Sequence, residues 1–269
     1  MSHHTIRSAD GTTIAFDRYG EGPAVVLVGG AFQTRAGDPR TQDLARLIAA
    51  EGFTVVHYER RGRGDSGDTA PYAPERELED LAALVGDRAH LFGMSSGGAI
   101  VLDAARAGLP VASAAVFELS ILVDDSRPPV PRDYLARLRA HVAAGDRDAA
   151  VRQFLAEAVE LPAEAIDGMA HAPFWPAMAA VAHTLPYDGA FVECLMYGDP
   201  DAPRARWADV TTPTLVADGG ASPPFFASGA DALARALPGG TRVTLPEQTH
   251  DVDPEVLAPA LTGFFRAHT

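Results

Sequence analysis

Short runs made almost wholly of apolar residues recur along the first part of the chain, separated by stretches with helical spacing. Ala24-Val25-Val26-Leu27-Val28 is one such run, and Thr54-Val55-Val56-His57-Tyr58 is the next. A strand that is apolar on both faces is buried on both, the mark of a parallel sheet covered by helices. Between these runs Leu44, Leu47 and Ile48 repeat at helical spacing. A helix over 75–85 precedes the short strand His90-Leu91-Phe92, and Ala114–Phe117 is the strand after that. The opening is different: Thr5–Ser8 and Thr12–Tyr19 flank Ala9-Asp10-Gly11, a hairpin signal. The rhythm stops near Asp124, where Ser126-Arg127-Pro128-Pro129-Val130-Pro131 forms a stiff link. Alanine-rich, helix-like sequence follows, broken by Pro162, Pro173, Pro176 and Pro186. Alternation resumes at Pro213-Thr214-Leu215-Val216-Ala217, with a helix near 230–237, a strand at 242–245 and a last helix at 254–268. The expectation is an α/β core formed by residues 1–123 and 210–269, with a helical insertion at 124–209.

A chain of 269 residues suits one large α/β domain with such an insertion. Lys and Arg number 22 against 36 Asp and Glu, a net charge of −14. That argues against a nucleic-acid or anionic-membrane surface, which needs clustered positive charge. The single cysteine, Cys194, cannot close an intramolecular disulfide and fits a reducing compartment. Met1-Ser2-His3-His4 has no apolar signal region, and no apolar run approaches the ~20 residues that span a bilayer. The expected setting is the cytoplasm. Gly29-Gly30 lacks a G-x-G-x-x-G continuation, and no His, Cys and Asp cluster has zinc-ligand spacing. The Arg60–Gly67 loop lacks the Gly-Lys-Ser/Thr ending of a phosphate loop and reads as structural. No metal and no cofactor are expected.

The chemistry points to Gly93-Met94-Ser95-Ser96-Gly97. An apolar strand leads into it and a helix-like run, Gly98–Arg106, leads out. This is the pattern of a nucleophile elbow, a tight strand-to-helix turn that lifts a serine hydroxyl clear of the backbone. A Cβ at either flanking glycine would clash with neighbouring backbone. Ser95 is therefore the candidate nucleophile, and it needs a base to take its proton. Ser96 fits the turn less well, because Met94 would then stand where glycine is needed. His250 follows the strand at 242–245 after the short loop Pro246-Glu247-Gln248-Thr249 and is the candidate base.

The order of parts resembles the α/β-hydrolase fold superfamily over essentially the whole chain. The matching pieces are Val25–Gly30, Tyr58–Ser66, the elbow, and Gln248-Thr249-His250-Asp251. More narrowly, Asp124–Pro129 looks like the opening of the cap in small capped serine hydrolases. The resemblance implies a mostly parallel eight-stranded sheet flanked by helices, an inserted helical cap, and a catalytic triad. It expects an acid a few residues past Thr214–Ala217, where this chain has Ser222 instead. Two carboxylates remain: Glu118 at the end of Ala114–Phe117, the first choice, and Asp218 as the alternative. The oxyanion hole is expected from the backbone N–H of Ser96 and of Ala31, with Phe32 as the alternative second donor. The loop after Val28 lacks the histidine common in the superfamily. Phe32, Met94, Trp175, Met178 and His183 are the expected pocket wall. The implied activity is hydrolysis of a carboxylic ester or lactone of a small apolar molecule through an acyl-enzyme. Non-hydrolytic acyl transfer or cyclisation and a catalytically inactive binding homologue are the rivals. The expected partner is a small-molecule substrate, and the expected state a monomer or homodimer.

Overall fold

The computed structural model describes residues 2–269. The chain opens with β1 (Ser2–Arg7) and β2 (Thr13–Tyr19), an antiparallel hairpin. Then come β3 (Ala24–Val28), α1 (Pro39–Ala50), β4 (Thr54–Tyr58), α2 (Pro74–Val85), β5 (Ala89–Met94), α3 (Ser96–Arg106) and β6 (Val111–Phe117). The insertion carries α4 (Tyr134–Ala143), α5 (Arg147–Gln153), α6 (Ala163–Ala170), α7 (Trp175–Val181), α8 (Leu185–Val192) and α9 (Ala202–Trp207), with no strand among its described residues. The last quarter is β7 (Thr214–Gly219), α10 (Pro224–Ala236), β8 (Gly240–Leu245) and α11 (Pro254–Arg266).

The eight strands form one sheet in the order β1-β2-β4-β3-β5-β6-β7-β8. β2 pairs antiparallel with β4, and every pairing from β4 to β8 is parallel. All residues of β4 and of β7 are buried, as their largely apolar runs lead one to expect. Strand alternation sends Val25, Leu27, Val55 and Leu215 to one face, against Leu44 and Ile48 of α1 and Leu257, Leu261 and Phe265 of α11. Val26, Val28, Leu91, Val116 and Val216 go to the other face, against Leu81 of α2, Ile100 of α3 and Leu233 of α10. The result is a mostly parallel sheet with helices on both sides.

The insertion builds a third core from Tyr134, Leu138, Val151, Leu155 and Trp175, joined by Phe225 and Phe226 of α10. Three of the four prolines that interrupt its sequence open helices, and Pro173 lies in the turn between α6 and α7. Pro162 precedes α6, and Pro176 and Pro186 sit in the first turns of α7 and α8, where an N–H has no intrahelical partner to lose. α10 begins at Pro224, earlier than the periodicity predicts, and its first turn carries Phe225 and Phe226 into the core of the insertion. Among the described residues no helix is long and apolar enough to cross a membrane. Parallel strands end on the same side, so the tips of β5, β6 and β7 present Ser95, Glu118 and Gly219 along one edge.

Candidate active site

Ser95 follows β5 with φ 52° and ψ −126°, a conformation costly for a residue with a Cβ. Its N–H donates to Phe117 O at 2.9 Å, tying the turn to β6. Both flanking glycines are sterically required. A Cβ on Gly93 would stand 2.5 Å from Gly97 O, and one on Gly97 would stand 2.3 Å from Val28 O. The strain is thus held by close packing of β5, α3 and the end of β3.

His250 reaches the same edge from beyond β8. Its loop crosses β7 at Gly219, where a Cβ would lie 2.3 Å from Gln248 O. The Ala221 N–H donates to that same carbonyl at 2.8 Å. His250 Nδ1 lies 2.7 Å from Glu118 Oε2. The other carboxylate oxygen, Oε1, accepts the Gly219 N–H at 2.9 Å. Glu118 is 1 % exposed and has φ 48°, so the backbone after β6 is bent to turn this carboxylate inward. Phe226 stacks on the imidazole at 5.3 Å between ring centres. Arg40 holds the neighbouring Asp251 by its carboxylate at 2.9 Å and its carbonyl at 2.6 Å.

Of the two carboxylates open on sequence grounds, the structure places Glu118 against the imidazole and Asp218 elsewhere. Asp218 is buried and paired with Arg242 at 2.8 Å. Ser222, where the superfamily pattern expects the acid, keeps a buried hydroxyl with no hydrogen-bond partner. Ser95 and His250 line one cavity, but no direct hydrogen bond joins the Ser95 hydroxyl to the ring. Such bonds are often long before substrate binds and close in the Michaelis complex.

The Ser96, Ala31 and Phe32 N–H groups donate to no acceptor among the described residues. Ser96 heads α3, where a free N–H is intrinsic to the helix start. Gly30 packs so closely that a Cβ there would stand 2.9 Å from Ser95 Cβ, which brings the loop after β3 beside Ser95. Phe32 sits at φ 63° and packs edge-on against Phe154 at 5.1 Å, a wall position.

The cavity measures about 780 Å³. Phe32, Met94 and Met178 line it as expected, together with Phe154, Phe174 and Met196. Trp175 and His183 do not line it. Trp175 turns into the core of the insertion, with its indole N–H on Asp148 at 2.8 Å. Its neighbour Phe174, 48 % exposed, takes the wall instead. His183 stands beside the Gly62 loop, 4.0 Å from Asp68, and burial pushes its pKa down. Sequence reasoning also missed Gly219 as a donor to Glu118. Two adjacent glycines at a strand end were its signal, since they mark a close backbone approach.

The Arg60–Gly67 loop is structural, and its guanidinium groups turn inward. Arg60 pairs with Glu77 at 2.6 Å and with Asp188 of α8, Arg61 with Asp80 at 2.7 Å, and Arg63 with Asp188 at 2.6 Å. Burial pushes the Asp188 carboxyl up, but the charges of Arg60 and Arg63 and the Ser96 hydroxyl outweigh it and hold it below the usual carboxylate range. No cradle of outward-facing cations remains for a phosphate.

Residues 25–260 match the family model described as the alpha/beta hydrolase family. Among solved structures, an alpha/beta hydrolase from Sphaerobacter thermophilus DSM 20745 is 52% identical with a TM-score of 0.87, covering 97% of this chain and 100% of its own. A hydrolase from Pseudomonas aeruginosa PA01 is 23% identical with a TM-score of 0.70, covering 99% of this chain and 98% of its own. A thermophilic esterase from Thermogutta terrifontis is 21% identical with a TM-score of 0.68 over the full length of both chains. These last two show likeness of fold alone. No curated protein matches. The family match over most of the chain and the 52%-identical relative agree with the fold, and the chain belongs to the alpha/beta hydrolase family.

Proposed function

We propose that this protein is a serine hydrolase that cleaves a carboxylic ester or lactone of a small apolar molecule through an acyl-enzyme. The observation that carries the reading is the 2.7 Å contact of His250 Nδ1 with Glu118, beside a serine held in a strained elbow. A carboxylate on Nδ1 fixes the tautomer that leaves Nε2 as the base. Ser95 Oγ attacks the carbonyl carbon as Nε2 takes its proton. The Ser96 and Ala31 N–H groups receive the charge on the carbonyl oxygen. The imidazolium then protonates the leaving oxygen as the C–O bond breaks. Water, deprotonated by the same imidazole, releases the acid and restores Ser95. Glu118 steadies the imidazolium.

The helical insertion acts in this reading as a cap, and its side chains Phe154, Phe174 and Met178 favour an apolar substrate. The reaction needs no cofactor. The test is turnover of p-nitrophenyl esters of increasing chain length by wild type and Ser95→Ala, with a competing alcohol present. Hydrolysis abolished by Ser95→Ala supports the reading. Turnover that survives in Ser95→Ala contradicts it, and ester exchange in place of acid release would point to acyl transfer.

A further inference from the structure

Two oxyanion donors must sit within hydrogen-bond reach of one oxygen, and errors of about half an ångström already weaken the site. Yet the segment after β3 that supplies one of them has no strand partner. Its carbonyls are held by two arginines instead. Arg60 donates to Gly29 O at 3.3 Å, and Arg63 donates to Gly30 O and, at 3.4 Å, to Gln33 O. Gly30 O belongs to the same peptide unit as the Ala31 N–H. A guanidinium on that carbonyl fixes the peptide plane and polarises its N–H toward stronger donation. The other donor is gripped from the same cluster, because the Ser96 hydroxyl donates to Asp188 Oδ1 at 2.7 Å. Asp188 is itself held by Arg60 and by Arg63, at 2.6 Å from the latter.

We propose that Asp188 and Arg63 are positioning residues that set both oxyanion donors from one buried ion cluster. Asp188 sits on α8 of the insertion, so the insertion helps to build the oxyanion hole as well as to cover it. Arg63 also donates to Thr184 Oγ1 at 3.0 Å, just before α8, which locks the same helix down. Stability alone would be a poor reason for the arrangement. Asp188 and Arg63 are each 1 % exposed, and buried ion pairs are commonly matched or bettered by apolar residues of equal volume. What apolar residues would lack is a directional grip on Gly30 O and on the Ser96 side chain at once. The inference rests on the serine acyl-enzyme reading above.

The test uses Ser96→Ala, which keeps the backbone N–H but removes the hydroxyl that Asp188 grips, and Arg63→Lys, which keeps the charge but cannot hold Gly30 O and Asp188 together. Each is compared with wild type for kcat and KM on a p-nitrophenyl ester and for thermal midpoint. Each is also titrated with a trifluoromethyl ketone, whose tetrahedral adduct puts an oxyanion in the hole, and with the unreactive methyl ketone of the same shape. The expected result for Ser96→Ala is a fall of about tenfold in kcat and a parallel loss of trifluoromethyl ketone affinity, part of the 10²–10³ that loss of a whole donor costs. KM and methyl ketone affinity should stay within about twofold, the signature of a contact strengthened in the transition state. Arg63→Lys should show the same split; if it does not fold, Ser96→Ala decides. A Ser96→Ala protein with wild-type kcat and wild-type trifluoromethyl ketone affinity, whatever its thermal midpoint, overturns the positioning role and leaves the serine hydrolase reading standing. Wild-type protein that forms no trifluoromethyl ketone adduct overturns that reading, and this inference with it.

Discussion

Glu118 shows how much one side chain is asked to do. Both carboxylate oxygens are engaged, one by the Gly219 N–H and one by the imidazole, in a pocket that excludes water. An isolated carboxylate buried this deeply would be very costly, and these two donors are what make it tolerable. Glu118→Gln keeps the shape. Its carbonyl can still accept from Gly219, but its NH₂ then faces Nδ1 and demands a lone pair there. The proton moves to Nε2, the wrong tautomer for a base. The acylation rate measured in single turnover should fall by about 10²–10⁴. Asp218→Asn should acylate within a few-fold of wild type, and should lose about 1–3 kcal/mol of stability from its broken pair with Arg242. A crippled Asp218→Asn beside a normal Glu118→Gln would reverse the assignment. Glu118 stood out in the sequence because it directly follows the apolar run Ala114–Phe117, where a charge needs a reason. The role of Asp188 was not legible. Its partners Arg60 and Arg63 lie in a loop that reads from the sequence only as structural, and only the fold brings them across more than a hundred residues of chain.

At the scale of elements, strands announced themselves and wall residues did not. An apolar run buried on two faces carries its burial in its composition, which is why β3, β4 and β7 match their expected positions. Helix faces in the insertion are harder, since alanine-rich sequence gives little contrast between one side and the other. Trp175 and Phe174 are neighbours and both large. Size alone does not say that the helix start turns the indole onto Asp148 and leaves the phenyl to the cavity. Phe174→Ala should therefore shift ester preference toward longer chains while leaving the thermal midpoint nearly unchanged. Trp175→Ala empties part of a packed core and should cost about 3–5 kcal/mol, seen as a large drop in thermal midpoint. Chain-length profiles and melting curves of the two variants check this. A stable Trp175→Ala with altered preference would return Trp175 to the wall.

For the whole molecule, the sheet order sets both the site and the response to acid. Parallel strands line up Ser95, Glu118 and the His250 loop on one edge although 155 residues separate Ser95 from His250. Below that edge, His57 of β4 is buried with its Nδ1 unpartnered, and burial pushes its pKa down to about 4. The folded state keeps this ring neutral, while the unfolded chain takes up a proton near the ordinary histidine value of about 6.5. Stability is therefore full above that value and falls as pH drops toward 4, by at most about 3 kcal/mol from this group. Urea unfolding at about pH 7, 5.5 and 4.5 should show the decline, and His57→Gln should lessen it, leaving the part due to His90, whose pKa burial also pushes down to about 4. An equal slope in the variant would assign the loss to other groups. The central claim is that Ser95 is the nucleophile, and covalent capture tests it most directly. A fluorophosphonate should add one adduct by intact mass, mapped to the peptide holding Ser95 and absent in Ser95→Ala. An adduct on another residue, or full labelling of Ser95→Ala, would contradict it.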